Sequence, residues 1–154
     1  MPRRRSGLIG CGSVGISFLI TLVALVTLLL DAENKKGEVS TLYNWVTAGS
    51  LSLNMSILID PLSVFMLLIV TGVGFVIHVY SVGYMENDPE FSRFFSYLNF
   101  FIFSMSLLVL AADFFFLIVG WALVGLASYL LIGFWKEKTS AVLAARKAFV
   151  MNVI

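Results

Sequence analysis

Residues 113–135 read DFFFLIVGWALVGLASYLLIGFW, an unbroken run of apolar and small residues whose only charge, Asp113, stands at its edge. At 1.5 Å per residue such a run covers a hydrocarbon core of roughly 30 Å. A helix that is apolar on every side belongs in lipid rather than at the surface of a water-soluble domain. Gly120, Gly125 and Gly133, with Ala122, Ala127 and Ser128, leave flat surfaces where neighbouring helices come close, the usual service of small residues in spans.

Composition extends this to the whole chain. Of 154 residues, 60% are hydrophobic and 12% charged, and the mean hydropathy is +0.99. Soluble domains carry about 45–50% apolar and ~25% charged residues. The balance excludes a water-soluble enzyme and predicts an all-α polytopic membrane protein. The single cysteine, Cys11, sits in an apolar stretch and reads as a small packing residue. The sequence shows no zinc-ligand spacing, no Walker-type phosphate loop and no basic surface suited to nucleic acid.

In chain order, MPRRR at residues 1–5 precedes an apolar run, and 7–30 is the first predicted span. The run is too long for the core of a secretion signal, so Arg3, Arg4 and Arg5 read as a cytoplasmic anchor. Gly10, Gly12 and Gly15 suggest close helix contact, and the polar stretch 31–40 lies in water. Within SLSLNMSI at 50–57, Leu51, Leu53, Met55 and Ile57 alternate with Ser52, Asn54 and Ser56, the pattern of a half-buried strand. With Tyr43–Thr47 before it and Ala48-Gly49 between, 41–59 is predicted to be a β-hairpin on the extracytoplasmic membrane surface. Tyr43 and Trp45 suit the interfacial zone.

Asp60-Pro61 announces the second span, 61–84, because aspartate caps free N–H groups and proline suits the first helical position. The third span is 93–112, and the Ala111-Ala112-Asp113 junction predicts a bare turn into the fourth, 113–135. Asp113, like Asp60, reads as a structural helix cap. Ser140 is a candidate cap for a further helix, 141–154, which carries Arg146 and Lys147. With the N-terminus cytoplasmic, Arg3, Arg4, Arg5, Arg93, Lys136, Lys138, Arg146 and Lys147 fall inside and only Lys35 and Lys36 outside. That asymmetry is the positive-inside pattern.

The string Gly120-Trp121-Ala122-Leu123-Val124-Gly125-Leu126-Ala127-Ser128-Tyr129-Leu130-Leu131-Ile132-Gly133-Phe134 closely resembles a signature of the antiporter-like subunits of respiratory complex I, most closely subunit L, or chain 5. The family pattern runs Gly-Trp-Glu, then Gly-Leu, then Ser-Tyr-Leu-Leu-Ile-Gly-Phe. Asp60-Pro61-Leu62-Ser63, Thr71-Gly72-Val73-Gly74-Phe75 with His78, Arg93-Phe94-Phe95 and Lys147-Ala148-Phe149 resemble further family motifs in the same order. The resemblance implies a multi-pass subunit in the inner (plasma) membrane of a bacterium, partnered by other membrane-arm subunits of NADH:quinone oxidoreductase and by the lipid bilayer. It implies no cofactor in this chain; NADH, flavin, iron–sulfur clusters and quinone would serve other subunits. GCGSVG at 10–15 looks like the family's second helix, Val153 stands where the family has arginine, and the following Gly-Asp is not reached, which suggests an N-terminal-region fragment.

The resemblance also implies a proton path of buried ionisable residues and water, since charge inside a membrane is costly and marks ion routes. The family's glutamate after the tryptophan is Ala122 here, and alanine neither binds nor releases a proton. His78 and Lys147 are the remaining proton-path candidates. For His78 a relay and a structural hydrogen bond both stand open; for Lys147 the other role is an orientation charge. The expected function is therefore part of a proton-translocating subunit, inactive in isolation. Two other readings remain. One is a multi-subunit cation/proton antiporter, through its member whose early helices are built from the same family. The other is a membrane scaffold that has lost its ion path.

Overall fold

The computed structural model describes residues 3–30, 37–48 and 51–153. Lys35, Lys36, most of the polar stretch after the first span, the Gly49 turn and the side chains of Arg3, Arg4, Thr47, Ala48, Val153 and, within the alternating stretch, Leu51, Ser52 and Leu53 lie outside the described residues. The elements are α1 (Arg3–Leu30), β1 (Glu38–Ala48), β2 (Leu51–Ile59), α2 (Pro61–Tyr84), α3 (Phe91–Val109), α4 (Phe114–Ile132) and α5 (Thr139–Val153). Four of the helices, α1 to α4, are long and apolar enough to cross a membrane, which agrees with the expected fold class. The 19 residues of α3 and of α4 give each a length of about 28 Å, close to the hydrocarbon thickness.

The helices form a layered bundle in which α1 packs on α2 and α3, α2 on α3, α3 on α4, and α4 on α5. Small residues set the spacing. A Cβ at Gly15 would meet the Phe75 ring at 3.0 Å and one at Gly72 the Phe18 ring at 3.0 Å, so α1 and α2 exchange glycine notches for phenylalanine rings. Gly12, grouped with these by sequence, faces open space instead. Between α3 and α4 the approach is backbone to backbone: a Cβ at Gly120 would stand 2.8 Å from Leu108 Cα.

Polar residues inside the spans are mostly satisfied by their own helices. Ser96, Asn99, Ser104 and Ser106 of α3 each donate to the carbonyl four residues earlier, at 2.7–3.0 Å. Thr71 of α2 does the same with Leu67. This is how a hydroxyl avoids the cost of lying unpaired in hydrocarbon. Two contacts cross between α1 and α3 instead: Ser6 with Ser92 at 2.8 Å, and Ser13 Oγ donating to Asn99 Oδ1 at 2.7 Å.

β1 and β2 pair antiparallel from Glu38↔Ile59 to Ala48↔Leu51, with irregularities between Thr41 and Tyr43 and between Asn44 and Val46. The strand pairing thus starts three residues before the expected 41. The junction after α3 corrects a second expectation. Instead of a helix to Ala112 and a bare turn, α3 closes at Val109 and the next residues join the sheet edge. Leu58 N donates to Leu110 O at 2.9 Å, Ala112 N donates to Ser56 O at 3.0 Å, and Ile57 bridges Ala111. An edge strand offers unpaired N–H and C=O groups, and here the junction takes them. Ser56, on the polar side of the alternation, is buried beneath that junction.

At the opposite end of the bundle, Met85, Phe91, Phe95 and Phe134 form a buried cluster, with Cys11, Phe94 and Tyr97 against it. α5 begins at Thr139, not at Ala141, because Lys138 O already accepts from the N–H groups of Ala141 and Val142. Ser140 is therefore inside the first turn rather than capping it.

Candidate functional site

Asp60 opens α2 with a reciprocal cap: its Oδ1 accepts from Ser63 N at 2.8 Å, while its own N–H donates to Ser63 Oγ at 3.0 Å. The Ser63 hydroxyl and the Ser63 N–H hold its carboxyl below the usual carboxylate range. Asp113 opens α4 in a similar way, with Oδ1 accepting from Phe116 N at 2.8 Å. Its second oxygen accepts from Ser56 N at 3.3 Å, so one carboxylate both caps a helix and pins β2 to it. Trp45 closes the same corner, meeting Phe115 edge to face at 5.0 Å between centroids.

His78 lies with no exposed surface on the inner side of α2. Its Nδ1 is 2.7 Å from Gly74 O, and since a carbonyl only accepts, Nδ1 carries a proton. Its Nε2 has no partner among the described residues. Phe95 meets the ring at 6.0 Å, and the adjoining cavity of about 310 Å³ is walled by apolar groups including Ile102, Met105 and Leu131. A relay needs a hydrogen-bonding contact at each ring nitrogen. The described residues supply one.

Ala122 sits on an exposed stripe of α4 that also holds Phe114, Leu117, Ile118, Trp121 and Leu126. Those positions recur at the three- and four-residue steps of one helix face. Leu131, which borders the His78 cavity, is nine residues further on, or about 13 Å along the axis. His78 and position 122 are therefore not brought together. Lys147 and Arg146 are exposed on α5. That helix runs antiparallel to α4, with Phe149 beside Tyr129 and Asn152 beside Trp121. Ala122 is thus level with Asn152, about 7 Å along α5 from Lys147.

The pairing of Trp121 with Asn152 carries no signal in either residue alone. Trp121 Nε1 donates to Asn152 O at 2.8 Å, and Asn152 Nδ2 donates to Trp121 O at 3.4 Å. The Asn152 amide fills the notch left by Gly125, where any Cβ would collide with it. The nearest hint is the four-residue step from Trp121 to Gly125, which sets ring and notch on one face.

Comparison with known proteins accounts for this pattern of motifs. Residues 45–95 match the family model of the NADH-ubiquinone oxidoreductase (complex I) chain 5 N-terminus. Residues 111–154 match that of the NADH:quinone oxidoreductase/Mrp antiporter transmembrane region. NADH-quinone oxidoreductase subunit L of Mycobacterium tuberculosis is 47% identical over 145 residues, covering 94% of this chain and 23% of the relative. The Escherichia coli subunit L is 42% identical over 147 residues, covering 96% of this chain and 24% of the relative. NAD(P)H-quinone oxidoreductase subunit 5 of the Paulinella chromatophora chromatophore is 40% identical over 150 residues, covering 97% and 22%. The chain spans about a quarter of the length of these relatives. With identity running along nearly the whole chain, four apolar spans and the chain-5 match across α2, the chain belongs to the antiporter-like membrane subunits of NADH:quinone oxidoreductase, the family of subunit L.

Proposed function

We propose that this chain forms part of a proton-translocating subunit in the membrane arm of a bacterial NADH:quinone oxidoreductase, held in the inner membrane by its spans with Arg5 on the cytoplasmic side. Electron transfer belongs to other subunits, and this chain contributes helices to the proton-carrying arm. The observation that carries the reading is the run of family motifs on α2 and α4. The charge distribution supports the orientation: Arg5, Arg93, Lys136 and Lys138 share one end of the bundle, away from the hairpin. The match of residues 45–95 to a family model described for complex I chain 5, together with relatives described as subunit L, favours complex I over a cation/proton antiporter.

Position 122 sets the chemistry. A carboxylate on this outward stripe would face whatever packs against α4, about one and a half turns of α5 from Lys147. Such a pair exchanges protons as hydration or a nearby charge shifts their affinities. Ala122 removes the acidic member, so the chain as it stands carries no proton at that point and is inactive alone.

The test exchanges this chain for the matching 147-residue region of the Escherichia coli subunit L and measures NADH oxidation and proton uptake in inverted membrane vesicles. NADH oxidation should persist while proton uptake per NADH falls, and Ala122→Glu should restore it. Full uptake with Ala122 in place would show that no carboxylate is needed there. Failure of the chimera to assemble would count against a place in the complex.

A further inference from the structure

From the grouping of side chains between the ends of α3, α4 and α5 we infer a binding site for an anionic phospholipid, a ligand the proton-path reading does not require. A cavity of about 280 Å³ opens where α3 begins, α4 ends and α5 begins. Its walls are ordered by polarity. Arg93 and Lys136 stand at the rim, Tyr97 and Tyr129 lie about one turn deeper along α3 and α4, and Val142 and Ala145 of α5 form an apolar side. A diacyl phospholipid presents the same sequence: a charged phosphate, then ester oxygens, then acyl chain. Basic pockets between membrane helices on the cytoplasmic side take such headgroups, and tyrosine favours the interface.

The rim groups differ in how free they are. Arg93 donates to Phe134 O at 3.1 Å, which satisfies a carbonyl at the end of α4, and it pairs with Glu90. Its guanidinium also stacks over the Phe134 ring at 5.0 Å. These contacts fix the charge at the mouth. The Glu90 pair is partly exposed, and such pairs contribute little, so a phosphate can displace it. Lys136 is exposed and makes no ion pair among the described residues. The phenol hydroxyls of Tyr97 and Tyr129 likewise make no hydrogen bond there and are free to donate to phosphate or ester oxygens. Free phosphate would use the rim but gain nothing from the Val142 and Ala145 wall, which favours the lipid.

The test uses the complete subunit in its complex, purified and placed in phosphatidylcholine nanodiscs with a trace of photoreactive phosphatidylglycerol or photoreactive phosphatidylcholine. Labels are mapped by peptide mass spectrometry. Phosphatidylglycerol should label residues 129–145 about fivefold more than phosphatidylcholine, the ratio equivalent to the ~1 kcal/mol that one basic residue contributes near an anionic lipid surface. Lys136→Gln, which disturbs no packing contact, should bring the two lipids near parity, and Glu90→Gln should raise the preference. Equal labelling by both lipids, or a preference untouched by Lys136→Gln, overturns the inference. Competition by inorganic phosphate assigns the rim to a free anion and overturns the lipid. NADH oxidation by the same preparation reports separately on assembly, so failure there marks the proposed function and not the lipid site.

Discussion

Replacing Gly120 by alanine places a Cβ where the opposing helix leaves no room. The added atom would stand 2.8 Å from Leu108 Cα, 3.0 Å from Leu108 N and 3.1 Å from Leu108 Cβ. Carbon atoms in comfortable contact are about 3.5–4.0 Å apart, so α3 and α4 must separate by roughly 1 Å or twist. Two of the three obstructing atoms are backbone and cannot rotate away. Overpacking of this kind costs about 1–3 kcal/mol. Alanine also favours the helix over glycine by about 1 kcal/mol, so the net loss should fall between about 0 and 2 kcal/mol. Gly12→Ala isolates the packing part, because a Cβ there meets nothing within 4 Å. It gains the helix preference alone, and the two variants should differ by about 1–3 kcal/mol. Unfolding of the full-length subunit in detergent, followed by circular dichroism against denaturant, measures both. Equal midpoints would refute the tight α3–α4 contact.

Asp60 gives a prediction in pH. Its folded carboxyl is held below its ordinary value by the Ser63 hydroxyl and N–H, so its contribution to stability is present above that ordinary value, near pH 4, and is lost as the pH falls further. Asp60→Asn keeps a cap without the charge and should flatten this acid limb in unfolding midpoints between about pH 2 and 5; an unchanged limb would refute the assignment. Gly125→Ala should destabilise the α4–α5 pair by about 1–3 kcal/mol because its Cβ meets the Asn152 amide, and Asn152→Ala in the same chain should recover a measurable part. Strict additivity in a double-mutant cycle would show that the two residues do not touch.

Much of the architecture was legible in local chemistry. The apolar length of 113–135 decides for a span because an unsatisfied backbone in lipid is untenable, and a helix satisfies itself. Asp60-Pro61 marks the start of α2 because both the cap and the proline act within four residues. The alternation at 50–57 predicts a strand for the same local reason, since strand side chains point to opposite faces in turn. The family motifs, too, are read along the chain, and the absence of a carboxylate at 122 is plain from the residue itself.

What the tertiary structure decided is every choice that depends on a partner far away in the sequence. α3 stops at Val109, short of Ala112, because the β2 edge offers Leu110–Ala112 hydrogen bonds that compete with the helix. Ser56 is buried on the polar side of its strand because the Asp113 carboxylate, 57 residues on, waits there for its N–H. Gly12 and Gly15 are alike in sequence, yet only Gly15 has a ring opposite it. His78 bonds within its own helix, and its second nitrogen faces carbon because of which α3 and α4 side chains arrive. Hydrophobic length and capping are properties of neighbouring residues, so the sequence alone determined the spans, the hairpin and their order. Contact between surfaces depends on how whole helices rotate and cross, and that was settled only when the bundle packed.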